Sequence, residues 1–133
     1  MDRLFLDANV LFSAAYKIDA RLCQLWKFEE VRLCSSNYAL AEARINLADE
    51  DQRTRLSGLS SSLDLFEARR TQLPPKIFLP EKDVPIFLAT VEARATHLLT
   101  GDIRHFNYYF GKHIEGIAIT RPGDYIGGRK GAS

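Results

Sequence analysis

The sequence predicts an α/β protein, a three-layer α/β/α sandwich in which a mainly parallel central sheet lies between helical layers. Three observations point there. Short apolar runs alternate with segments of helical spacing along the whole chain, the order expected of strand–helix–strand units with right-handed crossovers. The length of 133 residues suits one domain with one core. Hydrophobic residues at 46% and charged residues at 26% are ordinary for a globular chain and argue against disorder.

The elements follow in order. Arg3 to Leu6 reads as a strand at the N-terminus, with Val10 to Tyr16 helical after Asp7. Ala20 to Phe28 carries Leu22, Leu25 and Trp26 at helical spacing, with Asp19 as its cap. Val31 to Ser35 is short, apolar and bounded by polar residues, hence a second strand. Asn37 caps a third helix to about Ala48. Glu50 to about Arg70 again has helical spacing, interrupted at Gly58 and the Ser60-Ser61-Ser62 run. Pro74-Pro75 and Pro80 bracket a loop with at most a short strand at Ile77 to Leu79. Pro85 suits the first turn of a fifth helix reaching about Ala95. Thr96 to Thr100 is a strand, Ile103 to Phe110 a short helix, and Ile117 to Ile119 the last strand. One domain thus covers 1–125, and the glycine-rich residues 126–133 read as a flexible tail.

Charge narrows the function classes only a little. The formal net charge is +1, so no global field marks a nucleic-acid partner. The C-terminal quarter is locally basic, with Arg104, Lys112, Arg121, Arg129 and Lys130 against Glu115 and Asp124. Cys23 and Cys34 lack zinc-site spacing and read as free thiols in a reducing compartment. No stretch approaches the roughly 20 apolar residues of a membrane span. Asp7 breaks the N-terminal apolar run and no cleavage site follows, so a cytoplasmic location is expected.

In a parallel α/β sheet, ligands bind beyond the carboxyl ends of the strands, and acids are placed there. Asp7 ends the first strand, and Asp102 follows the Thr96–Thr100 strand by one glycine. Asp83 stands at the start of the fifth helix, and Glu42 lies within the third. Each has a plainer reading. Asp83 can be a helix cap and Asp102 a turn residue. Glu42 can belong to a solvated stripe with Asn46 and Asp49. Asp7, between Leu4-Phe5-Leu6 and Val10-Leu11-Phe12, is costly to bury without a partner. Two carboxylates about 4 Å apart repel by roughly 4 kcal/mol at an effective dielectric of 20, so a cluster calls for a cation. All-oxygen ligation favours Mg²⁺ or Mn²⁺ over zinc, and either one or two ions would serve phosphodiester hydrolysis.

The motifs themselves are more specific. Leu6-Asp7-Ala8-Asn9-Val10-Leu11 resembles the opening signature of PIN-domain nucleases, a strand ending in Asp with Asn two residues on. Ala41-Glu42-Ala43-Arg44 is similar to the segment bearing that family's helix glutamate. Lys82-Asp83-Val84-Pro85 resembles its third acid at a helix start, and Leu99-Thr100-Gly101-Asp102-Ile103-Arg104-His105-Phe106 its fourth. The resemblance runs from Leu4 to about Tyr125. It implies Mg²⁺- or Mn²⁺-dependent cleavage of single-stranded RNA, with Asp7, Glu42, Asp83 and Asp102 as catalytic metal ligands. Small stand-alone members are often toxins of the VapC type, paired with an antitoxin and commonly homodimeric. Ala8 departs from the Thr or Ser that many members carry. Asn9 and Thr100 become candidates for orienting Asp7 and Asp102, and Arg44 and Arg104 for contacting substrate phosphates. His105 reads as packing or surface before it reads as an acid–base helper. Gly128-Arg129-Lys130-Gly131 is a tail segment before it is a nucleic-acid loop.

Two rival readings fail on residues. A haloacid-dehalogenase-like phosphatase needs a second Asp where this chain has Asn9, and a receiver domain needs an acid pair at the first strand that is absent. Glycine-rich nucleotide loops are missing as well. The non-enzyme alternative is a catalytically idle PIN-like module binding RNA or protein, which loss of an acid would favour. All four acids are present.

Overall fold

The computed structural model describes residues 1–131. Six strands form one sheet: β1 (Asp2–Leu6), β2 (Val31–Ser35), β3 (Asp64–Leu65), β4 (His97–Leu99), β5 (His113–Ile114) and β6 (Ile117–Thr120). Their order is β3-β2-β1-β4-β6-β5, and every pairing is parallel except β5 with β6. The helices are α1 (Ala8–Ala15), α2 (Asn37–Asn46), α3 (Glu50–Ser60), α4 (Val84–Glu92), α5 (Ile103–Phe106) and α6 (Pro122–Gly131). The expected three-layer α/β/α sandwich is the observed fold. No helix among the described residues is long and apolar enough to cross a membrane.

The chain steps outward from β1 to β2 to β3, then returns to β4 on the other side of β1. Right-handed crossovers put the returning α4 on the face opposite α1. The order therefore reverses between β1 and β4, and the crevice beyond their carboxyl ends is the switch point where such sheets bind ligands. The central strands are buried from both faces, with Leu4, Phe5, Leu6, Leu98 and Leu99 fully inaccessible. Parallel sheets covered twice carry such unbroken apolar runs.

Several expected boundaries move for local reasons. The segment after Ala20 is a 3₁₀ helix, Arg21–Lys27, rather than an α-helix, and Asp19 does not cap it. Leu22, Leu25 and Phe28 recur every three residues, which the threefold 3₁₀ turn aligns on one face. Ser36, not Asn37, caps α2, its hydroxyl accepting from Ala39 N–H at 3.1 Å. Helix α3 stops at Ser60 instead of running towards Arg70. Ser60, Ser61 and Ser62 turn their hydroxyls back onto the carbonyls of Ser57, Gly58 and Leu59, competing with helical bonding. Helix α4 ends at Glu92, with Arg94 in the left-handed region (φ 54°). No strand forms at Ile77 to Leu79.

Three elements were not expected at all. Strand β3 forms at Asp64–Leu65, inside the segment read as helical, and pairs parallel with β2. Strand β5 pairs with β6 across a two-residue turn at Glu115 and Gly116, both at positive φ (54° and 79°), the geometry of a tight hairpin. The region read as a loose tail is helical through Gly131. Pro122 sits in its first turn, Ile126 is fully buried, and the Tyr125 hydroxyl donates to Asp2 Oδ2 at 2.6 Å. Burial of that pair outweighs the weak helix propensity of Gly123, Gly127 and Gly128. Residues 132 and 133 of the expected tail lie outside the described residues.

Candidate metal centre

Asp7 sits where β1 gives way to α1. Its N–H extends the strand ladder to the Leu99 carbonyl at 3.1 Å, while its own carbonyl receives Val10 and Leu11 N–H. The carboxylate is nearly inaccessible, at 4% exposure. Oδ1 accepts from Ala8 N–H at 2.7 Å, and Oδ2 from the Thr100 hydroxyl at 2.7 Å and Asn9 Nδ2 at 3.1 Å. Burial pushes the Asp7 carboxyl above the usual range. The Thr100 and Ala8 donors work against that rise, and the charge of Asp102 adds to it. One side chain thus serves as a helix cap and as a member of the site.

Thr100 and Asn9 join the two strand ends into a single unit. The Thr100 hydroxyl that donates to Asp7 accepts from Asp102 N–H at 3.1 Å. Asn9 Nδ2 also reaches Thr100 Oγ1 at 3.3 Å, and its Oδ1 accepts from Gly101 N–H at 2.8 Å. Thr100 is fully buried. Both residues therefore hold Asp7 directly, and they hold the main chain leading into Asp102. Position 8, an alanine, has no hydroxyl to offer; Thr100 brings one to Asp7 from the neighbouring strand.

Asp83 and Asp102 come together around His105. Helix α4 begins just after Asp83, which is buried at 5% exposure. Asp102 starts α5, its Oδ1 accepting from His105 N–H at 3.2 Å. That turn directs the His105 ring back over Asp102, three residues away. His105 Nδ1 lies 2.7 Å from Asp83 Oδ2 and 2.6 Å from Asp102 Oδ2. The orientation gives no directed hydrogen bond between Asp83 Oδ2 and His105 Nδ1, and both atoms are buried without a hydrogen-bond partner. The contact is close in distance and poor in angle, as among donors arranged around a shared point. One donor atom from each of Asp83, Asp102 and His105 falls within 4.8 Å of the others. Burial is the first cause raising the Asp83 carboxyl to about 6. His105 opposes the rise, Asp7 and Asp102 add to it, and Lys82 opposes it.

The expected all-oxygen set is thus modified. The tightest group has two carboxylates and a nitrogen, and His105, read from sequence as packing or surface, belongs to it. Asp7 adjoins that group and is coupled to it by charge. Glu42 stands further out, half-buried on α2. Its link to the site runs through Tyr38, one helical turn before it. The Tyr38 phenol is pushed up by burial, then by the charge and hydrogen bonding of Glu42, then by Asp83 and Asp7. The Tyr38 hydroxyl donates to the Lys82 carbonyl at 3.1 Å, tying α2 to the start of α4. Arg44 is exposed and, two residues from Glu42, projects from a different side of α2. Arg104 is exposed beside His105 and lines an open depression with it.

The donors fit a divalent ion. Two carboxylates and an imidazole converge within coordination reach, and a buried carboxylate oxygen is left without a hydrogen bond. The set is mixed, with carboxylate oxygens that suit hard divalent ions and an imidazole nitrogen that suits transition ions.

Fold and site together define a mixed α/β sandwich of PIN-like architecture with an acidic crevice at its switch point. No family model matches the chain, and no curated protein matches it. Among solved structures, it is similar to a chain in the crystal structure of VapBC2 from Rickettsia felis bound to a DNA fragment from their promoter. The superposition has a TM-score of 0.61 at 19% identity and covers 88% of this chain and 96% of that one. At that identity the likeness is one of fold.

Proposed function

We propose that this chain is a divalent-metal-dependent endoribonuclease of the PIN-domain type and the toxin of a toxin–antitoxin pair. The observation that carries the reading is the convergence of Asp83, Asp102 and His105 beside the buried Asp7, at the crevice between β1 and β4. Carboxylates that raise one another's proton affinity persist in a fold when a cation is to join them. The VapBC2 complex gives the same fold in a two-component setting. An acidic crevice favours the enzymatic component over the antitoxin, and the antitoxin is then the protein partner. The motif resemblance adds a homodimer, which light scattering at twice the monomer mass would register.

Asp83, Asp102 and His105 would hold the ion, with Asp7 beside them and Glu42 at the outer edge. When bound, Mg²⁺ or Mn²⁺ supplies a water of lowered pKa and positive charge next to the scissile phosphate. The chain's own residues do the positioning. Thr100, Ala8 and Asn9 fix both oxygens of Asp7. Asn9 and Thr100 hold Gly101 and Asp102 at the end of β4. Arg104, next to the cluster, would meet a substrate phosphate.

Purified protein incubated with single-stranded RNA should cleave with Mn²⁺ or Mg²⁺ and stop with EDTA. Asp7→Asn and Asp102→Asn should both abolish cleavage while circular dichroism stays native. Undiminished cleavage by either purified variant would refute the assignment.

A further inference from the structure

We propose that Phe78 and Tyr108 form a base-stacking shelf for single-stranded RNA beside the acidic crevice, with Lys76 and Arg104 receiving the flanking phosphates. The inference rests on the nuclease reading and specifies how that site would grip its substrate. Phe78 is 80% exposed and Tyr108 74% exposed. Both line an open depression of about 530 Å³, together with Lys76, Arg104, His105 and Tyr109. That volume lies within the range of ligand pockets. His105 joins the two regions: its Nδ1 meets Asp83 and Asp102, and the residue also lines the shelf. A nucleotide resting there sits one side chain away from the acids.

The shelf is held in place. The Tyr109 hydroxyl accepts from Phe78 N–H at 3.0 Å and contacts the Phe78 carbonyl at 3.3 Å, so the main chain under the exposed ring is pinned. Tyr109 also meets Tyr108 edge to face at 5.4 Å. Lys112 Nζ lies 3.8 Å from the Tyr108 ring centroid, adding positive charge at the rim. The lining determines the class of occupant. It comprises three aromatic rings, a lysine, an arginine and a histidine, without one aliphatic residue. A groove for an amphipathic helix would present aliphatic walls. Rings interleaved with cations match the alternating bases and phosphates of an unpaired strand.

The test measures binding apart from cutting. Anisotropy of a labelled ten-nucleotide single-stranded RNA is read with Ca²⁺ in place of Mn²⁺, and cleavage of the same RNA is followed separately with Mn²⁺. Phe78→Ala and Tyr108→Ala should each weaken binding about five- to tenfold, the low end for one stacked base at an open site. Tyr108→Phe and Phe78→Trp should bind like wild type. An abasic strand of equal length should bind more weakly and ignore the alanine substitutions. Lys76→Ala and Arg104→Ala should each lower the slope of log K against log salt by about 0.7. Wild-type affinity in both alanine variants, or equal affinity for the abasic strand, overturns the shelf. So does unchanged RNA binding together with lost binding of an antitoxin peptide, which would assign these rings to a protein partner. Ring-dependent binding without Mn²⁺-dependent cleavage sinks the nuclease reading and leaves the shelf standing. Cleavage with ring-independent binding sinks the shelf alone.

Discussion

Replacing Asp83 by Asn should make the metal-free protein more stable while removing its response to metal. The Asp83 carboxyl is raised from 3.8 to about 6, first by burial and then by Asp7 and Asp102, against His105 and Lys82. An acid with a raised native pKa holds its proton more tightly when folded. The stability it contributes is complete below about 3.8 and is lost as pH climbs through about 6. At ~1.4 kcal/mol per pH unit, the full cost above pH 7 comes to about 3 kcal/mol. The amide forgoes the attraction to His105, so a net gain of about 1–3 kcal/mol is expected at pH 7.5. With an unfolding entropy of roughly 2.1 cal/mol/K per residue, that corresponds to a rise in Tm of about 4–10 °C. Melting curves of EDTA-treated protein from pH 4 to 8 provide the assay. Wild type should lose stability across that span, and Asp83→Asn should lose much less. Saturating Mn²⁺ should then stabilise the wild type, by about 2.7 kcal/mol at 100 times Kd, and leave the variant's Tm unmoved. A variant no more stable than wild type at pH 7.5, or a wild type without this pH slope, would show that burial and the neighbouring acids do not hold the Asp83 carboxyl above its ordinary range.

Other consequences are as direct. Thr100→Val removes the hydroxyl shared by Asp7 and Asp102 N–H and should weaken Mn²⁺ binding about 10- to 100-fold by calorimetry. Asn9→Ala, which releases Asp7, Thr100 and Gly101 together, should fall in the same range. His105→Ala should reduce the preference for Mn²⁺ over Mg²⁺ by about tenfold in competition binding, because the nitrogen donor is gone. Ile126→Ala should cost about 2–4 kcal/mol in urea unfolding, since that side chain is fully buried; a neutral result would mean α6 is not part of the fold.

The central strands β1 and β4 were legible because they are buried on both sides. Leu4-Phe5-Leu6 and Leu98-Leu99 announce themselves without reference to distant residues, and the acid after each strand follows at once. Boundaries set by competing local bonds were harder to read. The serines after Leu59 could continue a helix or close it, and only their hydroxyl bonds to the preceding turn decide. Helix α6 was invisible for the opposite reason. Its glycines point away from helix, and the Tyr125 hydroxyl that ties it down bonds Asp2 in β1, at the far end of the sequence.

The acids differ in how far sequence could place them, and the difference is geometric. Asp7 and Asp102 are fixed by the ends of adjacent strands, so one registration, Leu6 beside Leu99, determines both. Asp83 depends on where the long connection from β3 returns, which no local pattern specifies. Its partner His105 depends in turn on a single turn of α5 begun by Asp102. The spacing of three between Asp102 and His105 was visible and was the available signal, for on a helix it puts both side chains on one face. What it lacked was Asp83 opposite. Glu42 is reached only through the Tyr38 link, so its contribution should be graded. Glu42→Gln should slow cleavage less than Asp102→Asn does, and equal losses from the two would place Glu42 among the innermost ligands instead.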